Sequence, residues 1–494
     1  MKIRNVVLLT GPALCALVVC AGVAWSEEAG AVKKATPFEV VLAETKPLSH
    51  PQGNHPPLFL WTPNFPTGAD DAALEQALKD LQARGIALYH RWGGTPEKTL
   101  QTYKRIGLLQ KRLGMPIAVD GTGIANGFYN GDAALSHIDK DGKPFRDSSF
   151  FWSPGCPFTV QSRYEERRKL TESFAQAYKD AGLTVDYWAG DWEFDGPNEW
   201  KDGWKAAKQC TRCREKIANI DTDFLAFQKA VRAVRGEMQH EGWVKPLQQV
   251  FPAIRVGNYG MNPHDGYRYW WDFYEENGPG NPFVVDGVPY KKEQKALYRP
   301  WAKEFDTAGY TVAMPVVYTW FTIYNSYDFA NTDFRWFRNM LLEVSSVASN
   351  TPAGVPIVPF VHWNTTNPPK ELPAGFKPMS EAAYKELLWH ALLRGVDTFA
   401  MWSPDAETGS EVKPVHEVYA AALEYADFLE KGTPVTFAVP EQPGTVVSAI
   451  KLGKKVLVRR TDFGDSTEPV ELMVDGKPLR VARQDGRCAI LDAP

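Results

Sequence analysis

The sequence has no excess of positive charge: 55 Lys and Arg stand against 59 Asp and Glu, which gives a formal net charge of −4. It has no clustered basic stripe, so no nucleic-acid partner is expected. It also lacks a glycine-rich phosphate loop after its first predicted strand, a serine nucleophile elbow, a cluster of metal-binding histidines and internal repeats. These absences argue against nucleotide-binding, serine-hydrolase and repeat proteins, and neither a cofactor nor a metal is expected.

The amino terminus has the pattern of a secretory signal peptide over residues 1–26. Lys2 and Arg4 precede an apolar run from Val6 to Ala24, and small residues follow where a signal peptidase cleaves. A membrane anchor is the alternative, but a glycine and a proline interrupt the run and no basic cluster follows it. Lipoprotein anchoring through Cys20 is a minor alternative. We therefore predict a secreted or periplasmic protein without a membrane partner after cleavage.

Four cysteines remain once that segment is removed: Cys156, Cys210, Cys213 and Cys488. Cys210 and Cys213 form a single CxxC motif, which fits a local disulfide or half of a metal site with Cys156 as a third ligand. A closed zinc site needs four ligands and no second CxxC is present, while an oxidising compartment makes a disulfide at least as plausible. We interpret the motif as structural.

Eight short apolar runs alternate with helical patterns between residues 56 and 432. Such alternation predicts parallel strands with right-handed crossovers, and eight units suit a (β/α)8 barrel with long loops. A doubly wound open sheet is the alternative fold. The predicted strands are Pro57–Trp61, Gly85–Tyr89, Met115–Asp120, a run from Leu183, Ala253–Tyr259, Tyr310–Tyr318, Val355–Val361 and Val396–Trp402.

The segments on either side of the predicted barrel have different patterns. Residues 27–55 lack apolar periodicity and are predicted to be an exposed lead-in. Residues 433–494 contain short strand-like runs separated by Asp-Gly turns, which predicts a small antiparallel β domain. Those runs are Val435–Val439, Val446–Ile450, Lys455–Arg459, Val470–Val474 and Cys488–Leu491.

The chain is organised around Leu183–Pro197, which reads LTVDYWAGDWEFDGP. Because side chains alternate along a strand, Asp191 and Glu193 should point to the same side. Two neighbouring carboxylates repel each other's charge, so one keeps its proton near neutral pH, as a general acid requires. Solvated loop residues are the plainer interpretation, but the apolar, aromatic-rich strand before the pair favours the catalytic one.

The ends of the predicted strands are rich in carboxylates and aromatic residues. Aromatic rings stack on sugars, and the chain has 17 Trp and 19 Tyr. Each aromatic residue singly also fits an ordinary barrel core, and the two histidines fit hydrogen-bonded structural roles. These strand-end residues are Trp61, Tyr89, His90, Asp120, Asp191, Glu193, Tyr259, Tyr318, His362, Trp363 and Trp402.

The seventh predicted strand ends in Phe360–Thr365, FVHWNT, without a carboxylate. A glycosidase with two protein carboxylates needs a second acid across the cleft, and this strand end is its natural place. Its absence favours substrate-assisted hydrolysis, in which the substrate's 2-acetamido oxygen attacks the anomeric carbon. Glu193 would protonate the leaving oxygen and Asp191 would orient the acetamido group. Asp195 and Glu407 are either rim carboxylates or an unrecognised second catalytic group.

Seven short motifs support this interpretation. They are Pro56–Trp61 with Pro66–Thr67, Gly85–His90, Gly190–Glu193, Gly257–Gly260, Met314–Tyr318, Val355–Phe360 and Gly395–Trp402. In this order they resemble the hyaluronidases of animals and venoms, and Asp191-Trp192-Glu193 is similar to that family's catalytic Asp-Trp-Glu. The resemblance implies Glu193 as the acid and Asp191 as the acetamido-positioning residue. It also implies a pocket wall made of Tyr259, Tyr318 and Trp402.

The chain also departs from that family. Phe194–Pro197 stands where the family has another acidic residue and then Trp-Arg-Pro, and the family's cysteine framework is absent. Asp186–Glu193 also resembles the end of the chitinase signature, without its middle Asp. The substrate therefore need not be hyaluronan.

The predicted function is a secreted glycoside hydrolase that cleaves a polysaccharide at N-acetylhexosamine residues. Tyr89, Asp195, His362 and Trp363 are further predicted substrate-binding residues. The alternatives are a two-carboxylate glycosidase acting on a galactan or glucan, and a non-catalytic carbohydrate-binding protein. Oligomeric state is left open.

Overall fold

The computed structural model describes residues 35–61, 65–129, 131–147, 153–192, 196–198, 201–263, 304–321, 324 and 329–494. The predicted signal peptide and two of the predicted site residues, Glu193 and Asp195, lie outside these ranges. Within them, we find no helix whose length and apolar character would let it span a bilayer.

Among the described residues, ten strands precede residue 432. They are β1 (Leu58–Leu60), β2 (Ile86–Arg91), β3 (Ala118–Asp120), β4 (His137–Ile138), β5 (Pro144–Phe145), β6 (Tyr187–Gly190), β7 (Arg255–Asn258), β8 (Val316–Trp320), β9 (Phe360–Thr366) and β10 (Ala400–Met401). Eight of them form one parallel sheet in the order β7-β6-β3-β2-β1-β10-β9-β8, whereas β4 and β5 form a separate hairpin. Within this sheet, the first strand in sequence, β1, pairs with the last, β10, and Phe59 lies opposite Ala400.

The two outer strands of this sheet are joined by the residues that lead into β8. The amide of Thr311 donates to the carbonyl of Val256 (2.9 Å), and the amide of Gly260 donates to the carbonyl of Met314 (2.9 Å). These hydrogen bonds close the sheet into a barrel. The predicted (β/α)8 architecture is confirmed, and each barrel strand overlaps its predicted run.

Helices cover the outside of the barrel. In the helix Asp71–Gln82, Leu74, Leu78 and Leu81 are buried on one face, at the spacing of an amphipathic helix that packs on a core. The helices are Pro37–Glu44, Asp71–Gln82, Pro96–Leu113, Thr122–Ala125, Tyr164–Asp180, Lys201–Gln209, Thr211–Lys216, Phe224–Gln239, Lys245–Val250, Glu304–Ala308, Thr332–Asn350, Glu381–Leu392, Thr408–Ala422 and Ala426–Lys431, with a π-helical turn at His240–Val244 and 3-10 turns at Ala133–Leu135, Pro157–Arg163, Asp405–Glu407 and Leu423–Tyr425.

Part of the predicted exposed lead-in is a packed helix, Pro37–Glu44. Thr36 and Glu39 form a reciprocal capping box at its start, which satisfies the first free amides. Phe38 and Val41 are buried, and the helix packs against Thr408–Ala422. The prediction of an exposed segment is wrong here, because a helix of two turns is too short to show clear periodicity.

The C-terminal part consists of antiparallel sheets, as predicted. Its strands are β11 (Thr433–Pro434), β12 (Thr445–Leu452), β13 (Lys455–Asp462), β14 (Val470–Val474), β15 (Lys477–Val481) and β16 (Ala489–Asp492). They form a sheet of order β11-β12-β13-β16 and a hairpin of β14 with β15. The predicted strand Val435–Val439 is wrong: only Val435 continues the β11 pairing, through its amide to Ala449 (2.8 Å). The β15 strand was not predicted.

Buried polar contacts join this sheet to the barrel helices. Arg394, which follows the helix Glu381–Leu392, is completely buried. Its guanidinium donates to three oxygens, those of Ser448 (Oγ, 2.8 Å), Ser345 (Oγ, 2.6 Å) and Ala438 (carbonyl, 2.9 Å). Oxygens from both sides of the interface therefore stabilise the buried charge of Arg394.

Candidate active site

The strand β6 directs Asp191 into the mouth of the barrel. Tyr187 packs against Phe59 of β1, with ring centroids 5.0 Å apart, so it faces the barrel interior. The next residue, Trp188, packs against Trp243 on the outer helical layer, at 6.1 Å. Because side chains alternate, Asp191 follows Tyr187 on the inner side, as the sequence predicts.

Asn258 fixes the backbone at the end of β6. Its Oδ1 accepts a hydrogen bond from the Trp192 amide (3.0 Å), and its Nδ2 donates to the Trp192 carbonyl (3.1 Å). The Tyr259 amide donates to the Gly190 carbonyl (2.9 Å). A side chain at Gly190 would place its Cβ 2.7 Å from Asn258 Oδ1, so this close approach requires glycine. The strand end that carries Asp191 is therefore rigidly held.

Arg235 holds the residues on both sides of Glu193 and Asp195. Its guanidinium lies over the Trp192 ring, 4.9 Å from the centroid. Its Nη1 donates to the Pro197 carbonyl (3.3 Å). Both flanks of the segment that carries the predicted acid are thus tied to one buried side chain.

Asp191 is a half-buried carboxyl with an incomplete set of partners. Its Oδ1 is buried and accepts no hydrogen bond from any residue that the structure describes. Burial, together with the nearby charge of Asp120, raises the pKa of Asp191 to about 7. A carboxyl in this environment exchanges its proton near neutral pH.

Asp120, at the end of β3, is the described carboxylate that acts on Asp191. Thr122 links the two residues: its amide donates to Asp120 Oδ1 (3.0 Å), and its Oγ1 accepts from the Asp191 amide (2.9 Å). Arg91 Nε lies 3.7 Å from Asp120 Oδ2. Burial raises the pKa of Asp120, while Thr122 and Arg91 oppose that rise. Sequence reasoning placed Asp120 at a strand end without assigning it a role. The proximity of Asp120 and Asp191 could have been predicted, because β3 and β6 are consecutive barrel strands and the two residues lie at the same end of them.

Four predicted site residues form one aromatic cluster beside Asp191. Tyr259 follows β7 and lies 6.0 Å from Tyr318 of β8, between ring centroids. Tyr318 stacks on Trp402 at 5.8 Å and contacts His362 at 5.5 Å. Tyr318 and His362 are buried, whereas Tyr259 and Trp402 are partly exposed. The cluster spans the mouth of the barrel from β7 to β10.

Two other predicted residues lie apart from this cluster. Tyr89 is buried deeper, where its ring contacts Trp61 at 4.9 Å, and burial raises its pKa. Trp363 faces the outer helices: its ring stacks on Tyr384 at 6.0 Å, and its Nε1 donates to Met379. Trp363 is the residue after His362 on β9, and because side chains alternate along a strand, the two side chains point to opposite faces of the sheet.

The end of β9 receives two carboxylates from the segment after β10. His362 Nε2 lies 3.2 Å from Glu407 Oε2 and 3.3 Å from Glu411 Oε1. Glu411 is buried and accepts backbone amides of Trp363 and Asn364, each at 2.7 Å. The hydrogen bond from His362 lowers the pKa of Glu407, whereas burial raises that of Glu411. The ligand atoms of this trio are close enough to hold a cation, but hydrogen bonds already account for them.

No family model matches the chain, and no curated protein matches its sequence. Among solved structures, a β-galactosidase from the haloarchaeon Halorubrum lacusprofundi is 14% identical, with a TM-score of 0.47 over 76% of this chain and 58% of that one. An α-L-fucosidase from Paenibacillus thiaminolyticus is 10% identical, with a TM-score of 0.41 over 74% and 48%. Bee venom hyaluronidase is 13% identical, with a TM-score of 0.31 over 70% and 97%. The chain thus matches only about half of the length of the first two.

Proposed function

We propose that the protein is a secreted glycoside hydrolase that cleaves a polysaccharide at N-acetylhexosamine residues. The observation that carries the proposal is the position of Asp191. This half-buried carboxyl, with its pKa raised to about 7, follows Gly190, whose carbonyl accepts the amide of Tyr259 from the aromatic cluster (2.9 Å). Above this pKa the carboxyl is ionised, and a carboxylate accepts strong hydrogen bonds from polarised N–H groups.

In the proposed reaction, Glu193 donates a proton to the glycosidic oxygen as the bond to the anomeric carbon breaks. The acetamido oxygen of the same sugar attacks that carbon, and ionised Asp191 accepts a hydrogen bond from the acetamido N–H. Water then opens the cyclic intermediate, and Glu193 takes up a proton from that water. Two displacements at one carbon retain the anomeric configuration.

The aromatic cluster supplies the sugar-binding surface in this proposal. The exposed parts of Tyr259 and Trp402 offer ring faces, and buried Tyr318 supports both of them from below. His362 lies at the β9 side of this surface, where its contacts with Glu407 and Glu411 hold it in place. Trp363 has no part in this surface, because its ring packs on the outer helices.

Glu407 supports a second candidate, a two-carboxylate glycosidase acting on a galactan or glucan. Its side chain is 39% exposed and is held by His362 and by Asn364 Nδ2 (3.1 Å) at the end of β9. Its pKa is lowered, so it would be ionised as a nucleophile or base must be. This is the strand end where the sequence shows no acid.

The test is a depolymerisation screen of the full chain against glycosaminoglycans, chitin, galactans and glucans, with new reducing ends as the readout. On the substrate found, Glu193→Gln should lower turnover about 10²–10⁴-fold while binding persists. Glu471→Gln, an exposed change in the hairpin of β14 and β15, is the matched control and should leave turnover unchanged.

Three results separate the candidates. Retention of configuration and inhibition by a thiazoline analogue, which mimics the cyclic intermediate, support substrate assistance. Inversion, covalent trapping at Glu407, or cleavage of substrates with a plain 2-hydroxyl group supports the two-carboxylate enzyme. Binding of a glycan that is never shortened contradicts both and indicates a binding protein.

A further inference from the structure

Four buried side chains in the loops above the barrel bring their ligand atoms together: His137, Cys156, Cys210 and Cys213. All four atoms lie within 4.8 Å of one another. Cys156 Sγ is 3.7 Å from Cys213 Sγ, which in turn is 3.8 Å from His137 Nδ1. We propose that these side chains bind one zinc ion.

The separations between these atoms fit a tetrahedral zinc site. With Zn–S bonds of about 2.3 Å and Zn–N bonds of about 2.0 Å, neighbouring sulfurs lie about 3.8 Å apart, and sulfur and nitrogen about 3.6 Å. The observed 3.7 Å and 3.8 Å agree with both edges. The three cysteines are free thiols. Since four protein ligands fill the coordination shell, the site is structural, with no position left for substrate or water.

The CxxC motif is placed by a short helix. Cys210 immediately precedes Thr211–Lys216, and Cys213 lies in the first turn of that helix. The Arg214 amide donates to the Cys210 carbonyl (3.1 Å), and the Ile217 amide donates to the Cys213 carbonyl (2.9 Å). This turn directs both sulfurs to one side, at a spacing common in zinc sites.

The hairpin of β4 and β5 supplies the histidine. Asp139 Oδ1 accepts the amides of Asp141 (2.9 Å) and Lys143 (2.8 Å), which shapes the turn between the two strands. His137 stacks on Phe145 across the hairpin, with ring centroids 5.1 Å apart. This packing fixes the ring plane, and Nδ1 faces the sulfur of Cys213.

Hydrogen bonds hold the ligand segments together independently of any metal. The Cys156 amide donates to the Leu135 carbonyl (2.8 Å). Arg212 Nη1 donates to the Ser136 carbonyl (3.0 Å), and Thr211 Oγ1 donates to the Ile138 carbonyl (3.2 Å). The site is therefore largely preformed, which reduces the entropy lost on metal binding.

The four ligands lie in apolar surroundings, which would shield a bound metal ion from solvent. The side chains that enclose the cysteines are Ala207, Ile217, Ile220, Phe227 and Val231.

Zinc at this position would join two loops next to the candidate active site. His137 and Cys156 belong to the loop after β3, which follows Asp120. Cys210 and Cys213 follow β6 and Asp191. A metal that bridges these loops would order the rim of the cleft without contacting substrate. The inference does not depend on the proposed function.

The first test is the metal content of the untagged full chain, produced in a reducing cytoplasm with zinc supplied. Elemental analysis should give about one zinc per chain. Cys213→Ser and His137→Gln should each lower that content at least several-fold, whereas Cys488→Ser, at the cysteine outside the cluster, should not change it. A zinc content near zero in the unmodified protein, or a different metal in its place, overturns the proposal.

A second test uses only the unmodified protein, in case the variants do not fold. Replacement of zinc by Co²⁺ should give the sulfur-to-cobalt charge-transfer absorption and the strong visible bands of a tetrahedral thiolate site. A chelator should lower the melting temperature and speed the reaction of three thiols with a thiol reagent. A disulfide between any two of the three cysteines, found by mass spectrometry, or no change on chelation, contradicts the zinc site.

Discussion

The buried charged side chains at the barrel mouth and at the contact with the C-terminal sheet differ in how many hydrogen-bond partners they have. At that contact, Arg394 donates to three oxygens, and Arg459 forms a bidentate ion pair with Glu386 in which one arm measures 2.9 Å. At the barrel mouth, Asp191 Oδ1 is buried and receives no hydrogen bond from the described residues. Asp191 is instead brought near a second acid, Asp120.

This difference distinguishes charged side chains that stabilise the folded state from charged side chains that can take part in a reaction. A buried charge with complete partners resists change, and removing one partner is costly. A buried carboxyl without partners destabilises the folded state, and such groups concentrate at functional sites. We therefore expect substitutions at the barrel mouth to lower turnover without lowering stability, and substitutions at the interface to lower stability without changing turnover.

The largest expected effect is on turnover at the barrel mouth. Asp191→Asn should lower turnover about 10²–10³-fold, because the amide cannot supply the negative charge that the acetamido group requires. Its melting temperature should stay the same or rise, since a neutral amide is cheaper to bury. Glu386→Gln should do the reverse, with a lower melting temperature and normal turnover. Comparable turnover in Asp191→Asn and the unmodified protein would remove Asp191 from the mechanism.

The next effect is on stability at the interface. Arg394→Met should lower the free energy of unfolding by about 2–4 kcal/mol, because it leaves buried oxygens without their donor. Arg480→Met, an exposed arginine of β15, is the matched control and should leave the urea midpoint nearly unchanged. Equal midpoints for the two variants would show that the interface does not depend on this buried charge.

A smaller effect is the pH dependence of stability. The pKa of Asp191 is raised from 3.8 to about 7, so between these values the folded protein retains a proton that the unfolded chain has lost. The free energy of unfolding should therefore fall as pH rises through this window and level off above it. Burial raises the pKa of Asp397 to about 6, and it adds a contribution of the same sign.

Asp191→Asn isolates the Asp191 contribution, because Asp397 is present in both proteins. Urea midpoints measured at about pH 5 and about pH 8 should differ less in the variant than in the unmodified protein. An identical difference in both proteins would mean that Asp191 is not protonated in the folded state.

The smallest effect is on the pH profile of activity. The charge of Asp120 is the second cause, after burial, of the raised pKa of Asp191. Asp120→Asn should therefore move the acid limb of kcat/KM to lower pH by a fraction of a unit, and its amide oxygen can still accept from Thr122. Asp485→Asn, an exposed control, should leave the profile unchanged. A shift to higher pH would contradict the assigned repulsion.

The barrel strands could be predicted because parallel strands buried on both faces are continuous apolar runs. Ile86–Arg91 and Tyr187–Gly190 are examples, each found where its run predicts. The helix Pro37–Glu44 and the strand Lys477–Val481 were missed because each is too short for its period to stand out. The position of Asp191 followed from alternation along one strand.

Contacts between distant segments could not be predicted from the sequence. Glu407 reaches His362 from 45 residues away, after another strand and turn have intervened. His137 lies 76 residues from Cys213, and a single histidine in a hairpin has no spacing signature. Such pairs are set by the folded path of the loops, which local patterns do not encode.

The pairing of β1 with β10 has a consequence for synthesis of the chain. Phe59 and Leu60 find their partners, Ala400 and Met401, only when about 340 further residues have been made, as the Thr398–Pro57 hydrogen bond across 341 residues also shows. Until then one edge of β1 remains an unpaired apolar strand, open to association with other chains. Closing a loop of this length also delays folding relative to local contacts. Chaperones that bind exposed apolar strands would therefore find β1 accessible until β10 has been made.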